Sequence, residues 1–237
     1  MSRTIAILAG GLGTRVAALT GGTTPKAMLP LAGRPFIDHK LAEAQRLGAD
    51  HVVLLLAHGA DQIVAHVGDG GRWDLHLDVM LDGDRQLGTG GSLRQAARLL
   101  GAQVWVTYGD TLLDTDLGAA EDHARAINCR AVMTVLHNRD RWEPSNASIA
   151  DGRVVSYTKG DPPGTHEYID YGYLLLPATS LTDVVEAAFD LRVVVQRLIE
   201  QRDMAAYEVH ERFHDIGTPE ALAETNAWLR SRSEVEP

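Results

Sequence analysis

The chain has 237 residues, a formal net charge of -10, and a composition that is 45% hydrophobic and 23% charged. These values are typical of one well-buried globular domain, and the acidic balance argues against a protein that tracks along nucleic acid backbones. The first apolar run is too short for a signal peptide core, and no later run approaches the roughly 20 residues that span a bilayer. We therefore expect a soluble, cytoplasmic protein that binds neither nucleic acid nor membrane.

Apolar runs of strand length alternate with segments of helical periodicity through the first two thirds of the chain. This alternation predicts an α/β fold with a mixed, mostly parallel sheet flanked by helices. The predicted strands are residues 4–8, 51–56, 75–81, 103–108 and 130–136. The predicted helices are residues 36–47, 61–67, 91–100 and 117–127.

The last third of the chain changes character. A hairpin is predicted from strands at 146–149 and 153–157, joined by an Asp-Gly turn that favours positive φ angles. A strand at 171–176, helices at 181–189 and 191–200, and a strand at 205–209 follow. Thr218 and Pro219 predict the start of a terminal helix over 219–230, and the tail 231–237 is expected to fray.

A glycine-rich turn follows the first predicted strand. It reads Leu8-Ala9-Gly10-Gly11-Leu12-Gly13-Thr14-Arg15, and Pro25-Lys26 follows after a short loop. Such a turn exposes main-chain N–H groups to an anion, and in an open α/β sheet it lies at the carboxyl end of a strand, where ligands bind.

Two better-known glycine motifs do not fit this turn. The phosphate loop of many ATPases ends in Gly-Lys-Ser/Thr, whereas Gly13 is followed by Thr14 and Arg15. A dinucleotide fold needs an acidic residue after the second strand, and this strand ends in Leu56-Ala57-His58. The cations Arg15 and Lys26 instead predict a site for a phosphorylated ligand of another kind.

Further motifs occur in a consistent order along the chain. They are Pro25 to Pro30, Gly33 to Phe36, Leu87 to Leu93, Gly109-Asp110-Thr111, Lys159, and Asp215 to Glu220. Together with the glycine turn, this set resembles the signature of the sugar-1-phosphate nucleotidyltransferases, also called NDP-sugar pyrophosphorylases. The resemblance spans almost the whole chain. It implies a single-domain, Rossmann-like nucleotidyltransferase fold with a nucleotide-binding part at about 1–136 and a β-rich sugar-binding part at about 137–217.

The resemblance also implies a reaction and a set of residues that carry it out. A sugar 1-phosphate would attack the α-phosphorus of a nucleoside triphosphate, and pyrophosphate would leave. Arg15 would contact the leaving pyrophosphate, Lys26 the α-phosphate and Lys159 the sugar phosphate. Asp110 and Asp215 would hold Mg²⁺, a cation that prefers such hard oxygen ligands.

Contacts to the two substrates are implied in the same way. The residues expected to bind the nucleotide are Leu8, Ala9, Gly10, Gly11, Gly13, Thr14, Gln86, Gly88, Thr89 and Gly109. The residues expected to bind the sugar are Asn146, Lys159, Asp170 and Gly172. Cys129 and His214 are expected to be structural, because neither has a partner at metal-ligand or disulfide spacing.

Departures from the family pattern fall on the acceptor side. Tyr108 replaces a common Asn, Gly160 follows the lysine where Pro is common, and Asp170-Tyr171-Gly172 replaces an Asn-containing run. The chain looks most like the D-glycero-D-manno-heptose 1-phosphate guanylyltransferase group, which makes GTP the first expected nucleotide. A cytidylyltransferase with another phosphorylated acceptor and a catalytically silent nucleotide-binding regulatory subunit stay open as alternatives, as does assembly into a homo-oligomer.

Overall fold

The computed structural model describes residues 3–11, 24–57, 59–83 and 86–233. In these ranges the strands are β1 Thr4–Leu8, β2 Pro30–Leu31, β3 Arg34–Pro35, β4 His51–Leu56, β5 His76–Leu81, β6 Gln103–Tyr108, β7 Thr111–Leu112, β8 Ala131–His137, β9 Ala147–Ala150, β10 Arg153–Tyr157, β11 Tyr168–Pro177, β12 Met204–Val209 and β13 His214–Asp215. The α-helices are α1 Phe36–Arg46, α2 Ala60–Val67, α3 Gly88–Gln95, α4 Leu117–Ala126, α5 Ala178–Thr182, α6 Arg192–Glu200 and α7 Pro219–Ser233. Short 3-10 turns cover Lys26–Met28, Gly71–Trp73 and Ala97–Leu99.

Nine strands form one mixed sheet in the order β5-β4-β1-β6-β11-β8-β12-β10-β9. The pairs β5–β4, β4–β1, β1–β6 and β8–β12 are parallel. Strand β11 runs antiparallel to its neighbours β6 and β8. The predicted α/β class with a mixed sheet is therefore confirmed. The sheet takes strands from both halves of the chain, so it is continuous through the described part of the molecule.

The two faces of the sheet are buried separately, because successive strand residues point to opposite sides. Ile5 and Ile7 face a core that also contains Ile37, Leu41 and Leu117, and it is covered by α1, α2 and α4. The neighbouring Ala6 faces the second core, which α3, α5 and α6 cover. Among the described helices, none is long and apolar enough to cross a membrane.

A small substructure stands beside the main sheet. The two-residue strands β7 and β13 pair with each other, and β2 pairs with β3. Helix α7 closes this region through a third apolar cluster that includes Leu31, Phe36, Ile216 and Leu229. The predicted start of α7 agrees with the structure, since the Ala221 amide donates to Thr218 Oγ1 at 3.1 Å. The helix continues to Ser233, three residues beyond the predicted end at Arg230.

Two predicted helices are wrong in part. Residues 183–190 are not helical, because this segment crosses α3 and places Phe189 against it, with Gly90 N donating to Phe189 O at 3.0 Å. Helix α3 begins at Gly88 rather than at Gly91, and its predicted second half is a 3-10 turn. The other predicted strands and helices are present, with ends that differ by a few residues at most.

Candidate active site

A cleft of about 560 Å³ opens where β1, β4 and β6 end. Its position is the edge at which open α/β sheets bind ligands, and its volume suits a nucleotide-sized molecule. Its lining contains most of the predicted nucleotide-binding residues, namely Leu8, Ala9, Gly10, Gly11, Gln86, Gly88, Thr89 and Gly109. Lys26 and Asp110 line the same cleft. The predicted residues Gly13, Thr14 and Arg15 lie outside the described part of the chain.

Close backbone packing shapes the floor of the cleft. The amide of Gly109 donates to Leu8 O at 2.9 Å, which brings the turns after β1 and β6 together. A Cβ atom on Gly109 would lie 2.6 Å from Cβ of Ala9, so only glycine fits there. By contrast, a Cβ atom on Gly11, which lines the cleft, would meet none of the described residues within 4 Å.

Three charged side chains lie close together, and two of them, Lys26 and Asp110, line this cleft. Lys26 Nζ lies 2.8 Å from Asp110 Oδ2, and the lysine side chain is only 13% exposed. A Cβ atom placed on Gly217 would lie 2.8 Å from Asp215 Oδ1 and 3.9 Å from Lys26 Nζ, so Asp215 and Lys26 face the same space. The predicted phosphate-binding lysine and the two predicted metal ligands are thus neighbours.

The β7–β13 pair explains why Asp110 and Asp215 are close. Asp215 is in register with Thr111, the residue after Asp110, and Ile216 N donates to Asp110 O at 3.0 Å. The carboxylate of Asp215 also accepts from Gly217 N at 2.6 Å, and its carbonyl accepts from Thr225 Oγ1 of α7 at 2.6 Å. Two segments that are about 100 residues apart in sequence therefore present their carboxylates together.

A buried ion pair that was not predicted from the sequence lies beneath these carboxylates. Lys40 Nζ, on α1, donates to Glu43 Oε1 at 2.7 Å, to Thr107 Oγ1 at 3.1 Å and to the Thr111 carbonyl at 2.7 Å. Glu43 Oε2 accepts from Leu113 N at 2.7 Å. The pair thus holds the backbone of β7 on both sides, which positions the strand that follows Asp110.

The same ion pair is fully enclosed. Burial lowers the pKa of Lys40, although the Glu43 carboxylate opposes this shift. Tyr173 O–H also donates to Glu43 Oε1 at 2.8 Å, and burial raises the pKa of this tyrosine well above its usual value. A lysine on the apolar side of a helix, between Ile37 and Leu41, was the signal in the sequence that could have revealed this group.

Asp82 and Ser92 lie at the far end of the cleft, near Gln86 and Thr89. Ser92 Oγ donates to Asp82 Oδ2 at 2.7 Å. Oδ1 of Asp82 is buried and has no hydrogen-bond partner among the residues that the structure describes. The position of Asp82 directly after β5 was the signal in the sequence for this residue, since strand ends supply polar groups to such clefts.

The glycines of α3 have a packing role that the sequence analysis did not predict. A Cβ atom on Gly90 would overlap the ring of Phe189, and one on Gly91 would lie 2.9 Å from Ala187 O. Arg94 covers the other side of the Phe189 ring, with Cζ 5.1 Å from the centroid. A Cβ atom on Gly88 would likewise lie 2.6 Å from Phe189 O, so all three glycines accommodate the 183–190 segment, and Gly88 also lines the cleft.

The predicted sugar-binding residues surround Tyr108, which forms one wall of the cleft. Lys159 Nζ lies 6.0 Å from the centroid of the Tyr108 ring. Gly172 has a φ of +104°, and a Cβ atom there would lie 3.9 Å from Tyr108 Cδ2. Asn146 Oδ1 accepts from Asp170 N at 2.8 Å. Lys159 and Gly172 thus lie near Tyr108, and Asn146 is connected to Gly172 through Asp170.

Asp170 is held firmly within this group. Its Oδ1 accepts from Gly172 N at 2.9 Å and its Oδ2 accepts from Tyr157 O–H at 3.1 Å. Burial raises the pKa of the Asp170 carboxyl, although these hydrogen bonds and the charge of Lys159 oppose that effect. Burial also raises the pKa of Tyr108 and Tyr157, and the Asp170 carboxylate adds to both shifts.

Two residues predicted to be structural lie in packed surroundings. Cys129 is buried, and burial raises the pKa of its thiol. The ring of His214 stacks on Trp228 of α7 with centroids 4.0 Å apart. Burial lowers the pKa of His214 to about 4, so its imidazole is neutral at neutral pH.

The parallel strands, the glycine turn at their carboxyl ends and the adjoining cation define an α/β protein of the nucleotide-binding class. The chain belongs to the MobA-like NTP transferase domain family, whose model matches residues 5–166. The resemblance of the sequence motifs to nucleotidyltransferases is therefore confirmed at the level of the family.

Relatives and solved structures agree with this assignment. A mannose-1-phosphate guanylyltransferase of Mycobacterium tuberculosis is 36% identical over 232 residues, which cover 94% of this chain and 63% of that protein. The bifunctional protein GlmU of Burkholderia vietnamiensis is 30% identical over 229 residues, or 95% of this chain and 39% of GlmU. The chain thus spans 63% of the length of the first of these relatives and 39% of the second. The crystal structure of HddC from Yersinia pseudotuberculosis superimposes with a TM-score of 0.80 at 22% identity, over 96% of this chain and 99% of HddC, and shows a shared fold. HddC has also been solved in complex with GMP-PN.

Proposed function

We propose that the protein is a sugar-1-phosphate nucleotidyltransferase. It transfers a nucleoside monophosphate from a nucleoside triphosphate to a sugar 1-phosphate and releases pyrophosphate. The observation that carries this proposal is the meeting of Lys26, Asp110 and Asp215 beside the glycine turn, between a nucleotide-sized cleft and the group around Lys159. The family membership supports it. We propose a cytoplasmic location, because a nucleoside triphosphate is available there.

The chemistry needs charge compensation more than covalent catalysis. The attacking oxygen of a sugar phosphate is already anionic, so the protein has to align two polyanions that repel each other. Lys26 would neutralise charge on the α-phosphate as the new bond forms. Lys159 would hold the phosphate of the sugar, and Arg15 would stabilise the leaving pyrophosphate. A chain with a net charge of -10 cannot provide this attraction through its overall field, so these local cations are required.

Asp110 and Asp215 are suitable ligands for a divalent cation. Both present hard carboxylate oxygens to the space beside Lys26, and Mg²⁺ is bound in proteins by one or two carboxylates together with substrate phosphates. When bound, the cation would neutralise phosphate charge and orient the triphosphate. Lys26 is already 2.8 Å from Asp110, so the lysine keeps this carboxylate oriented toward the phosphate site.

GTP is the proposed nucleotide. The Watson–Crick edge of guanine carries two adjacent N–H donors, which suit a carboxylate acceptor, whereas uracil and thymine present one donor between two carbonyl oxygens. Asp82 lines the cleft, and its buried Oδ1 has no partner among the described residues, so a rotation of this side chain would present the oxygen to the base. The relative from Mycobacterium tuberculosis is a guanylyltransferase and HddC has been solved with GMP-PN, and both findings also favour guanine.

We assign sugar recognition to the residues around Tyr108. Asn146 uses its Oδ1 to hold the backbone of Asp170, which leaves its amide Nδ2 to donate to a sugar hydroxyl. Asp170 oxygens can each accept a further hydrogen bond beside those from Gly172 and Tyr157. Residues 1–136 would then serve the nucleotide and residues 137–217 the sugar.

The test is a pyrophosphate-release assay with five nucleoside triphosphates against a panel of sugar 1-phosphates, with and without Mg²⁺. Mannose 1-phosphate and a heptose 1-phosphate are the first acceptors to include. We expect release that requires both substrates and the cation, with GTP preferred. Activity with CTP and a phosphorylated alcohol would instead favour the cytidylyltransferase alternative. Nucleotide binding without turnover for any pair would favour the regulatory alternative and overturn the proposal.

Asp82→Asn tests the choice of base separately from the reaction. This substitution keeps the size of the side chain but turns one acceptor oxygen into a donor, so kcat/KM with GTP is expected to fall roughly 10-fold or more relative to other nucleotides. Asp122→Asn, on the exposed face of α4, is the matched control. An unchanged ratio between GTP and UTP in Asp82→Asn would refute the role of Asp82 and leave the reaction class intact.

A further inference from the structure

A cluster of metal-ligating side chains lies at the opposite edge of the sheet from the cleft. His51 begins β4 and His76 begins β5, and the two are in register across the parallel pair. Asp78 is two residues beyond His76, so both point to the same face of the sheet. In the part of the chain that the structure describes, this is the one group of three histidine, cysteine or acidic residues whose ligand atoms converge.

The three side chains are directed at one point. Nε2 of His51 lies 3.0 Å from Asp78 Oδ2, and Nε2 of His76 lies 3.6 Å from the same oxygen. All three ligand atoms lie within 4.8 Å of one another, and the two imidazole rings have centroids 5.0 Å apart. For comparison, metal bonds of about 2.0–2.1 Å place neighbouring ligand atoms of a tetrahedral site about 3.3 Å apart. The cluster needs only side-chain adjustment to reach that spacing.

We propose that His51, His76 and Asp78 form a binding site for a divalent transition-metal ion, with Zn²⁺ as the best match. Two imidazole nitrogens and one carboxylate oxygen suit Zn²⁺ and disfavour Mg²⁺ or Ca²⁺, which prefer sites made of oxygen atoms. Thr4 Oγ1 lies 3.4 Å from Nδ1 of His51, so it can accept a hydrogen bond from Nδ1–H. The unprotonated Nε2 of the same ring is then available to bind the metal. A water molecule would complete the four ligands.

The position of the site indicates a structural role. Strand β5 is at the edge of the nine-stranded sheet, and the metal would connect it to β4. Leu56, at the other end of β4, is five residues from His51, or about 16 Å at the usual rise of ~3.3 Å per residue. The metal is therefore too far away to touch a substrate in the cleft, and it would act by stabilising an exposed edge strand.

Calorimetric titration of the full chain with zinc chloride, in excess Mg²⁺, tests this proposal. The wild-type protein should bind one equivalent of zinc through this site. His76→Ala should weaken that binding by roughly 100-fold or more, since a ligand is removed. The His76 side chain is 71% exposed, so this variant is expected to fold. His210→Ala removes an exposed histidine that follows β12 on another part of the sheet, and it should bind zinc as the wild type does.

Thermal unfolding provides a second readout. Zinc at about 100 times its dissociation constant should stabilise the wild type by about 2.7 kcal/mol, which raises Tm by several degrees, and the same zinc concentration should stabilise His76→Ala by about 0.4 kcal/mol or less. Equal zinc affinity in wild type and His76→Ala would overturn the proposal. So would loss of zinc binding in Asp110→Ala with retention in His76→Ala, because the metal would then sit in the cleft. Pyrophosphate release is not used in either readout, so the test is independent of the proposed reaction.

Discussion

Lys26 Nζ lies 2.8 Å from Asp110 Oδ2, which joins the loop after the glycine turn to the turn after β6. Both side chains line the cleft, and Gly109, the residue before Asp110, packs against Ala9 of the glycine turn. This contact pre-orients a cation and the oxygen that we propose as a metal ligand before any substrate arrives. Preorganised charge of this kind is a major source of catalysis for reactions between anions.

Removal of the Lys26 ammonium should therefore abolish most of the activity. Lys26→Ala is expected to lower turnover at least ~10²-fold with little loss of fold, because one stabiliser of transition-state charge is lost. The measurement is steady-state pyrophosphate release at saturating substrates. Arg98→Ala removes an exposed cation outside the cleft and should retain full turnover. Similar turnover in Lys26→Ala and Arg98→Ala would contradict the assignment.

The carboxylate pair should control the metal requirement. Asp110→Ala should lower turnover at least ~10²-fold, and Asp215→Asn should raise the Mg²⁺ concentration that gives half-maximal rate roughly tenfold or more. EDTA should stop the wild-type reaction, and added Mg²⁺ should restore it. Asp114→Asn is the control, since this aspartate pairs with Arg46 and Arg232 instead. An unchanged Mg²⁺ dependence in Asp215→Asn would rule out its role as a ligand.

Loss of Lys40 should affect both stability and catalysis. Lys40→Met leaves Glu43 charged, buried and unpaired, which is expected to cost about 3–5 kcal/mol of unfolding free energy. Combined replacement, Lys40→Met with Glu43→Leu, should recover much of that loss because no buried charge remains.

Turnover of the Lys40→Met/Glu43→Leu variant should stay low even where it is folded, since β7 has lost the hydrogen bonds to Thr111 O and Leu113 N that position Asp110. A shift in its Mg²⁺ dependence would separate this positioning role from a purely structural one. Recovery of full turnover together with stability would show that the pair does not position the metal ligands.

Gly90 should not tolerate a larger residue. In Gly90→Ala the new methyl group overlaps the Phe189 ring, and overpacking of this kind costs typically about 1–3 kcal/mol. Denaturant unfolding measures the loss. A second substitution, Phe189→Leu, should restore part of the stability of Gly90→Ala because a smaller side chain leaves room for the methyl group. The control is Phe189→Leu in the wild-type background. If Phe189→Leu lowers the unfolding free energy by the same amount in Gly90→Ala as in the wild type, the two sites are independent and the packing argument is wrong.

His39 should make stability fall in mild acid. Burial lowers its pKa below the usual 6.5, and its Nε2–H donates to Leu31 O at 2.9 Å while Nδ1 accepts from Arg34 Nε at 3.2 Å. Between the folded and unfolded pKa values the unfolded chain binds more protons, so stability decreases as pH falls from 6.5 toward the folded value. Unfolding free energies at pH 7 and pH 5 should therefore differ more in the wild type than in His39→Gln. Parallel pH profiles for the two proteins would contradict this expectation.

Local patterns were sufficient for much of the fold. Apolar runs such as residues 51–56 form strands because a buried parallel strand needs apolar side chains on both faces. The Asp-Gly turn and the Thr218 cap are likewise settled by neighbouring residues. The helix predicted at 181–189 failed for the opposite reason, since the docking of Phe189 on Gly90 overrides the helical propensity of its own segment.

The sequence alone determined the order of the strands along the chain and the position of the glycine turn. It also identified the charged residues near that turn. Each of these features depends on side chains that are close in sequence. Only the tertiary structure decided that Asp215 lies beside Asp110, that Lys40 is buried under both, and that His51 and His76 face one carboxylate. These relationships depend on which strands pair and in which register. Strand pairing is a property of the whole chain, since every alternative register would expose a different set of apolar residues.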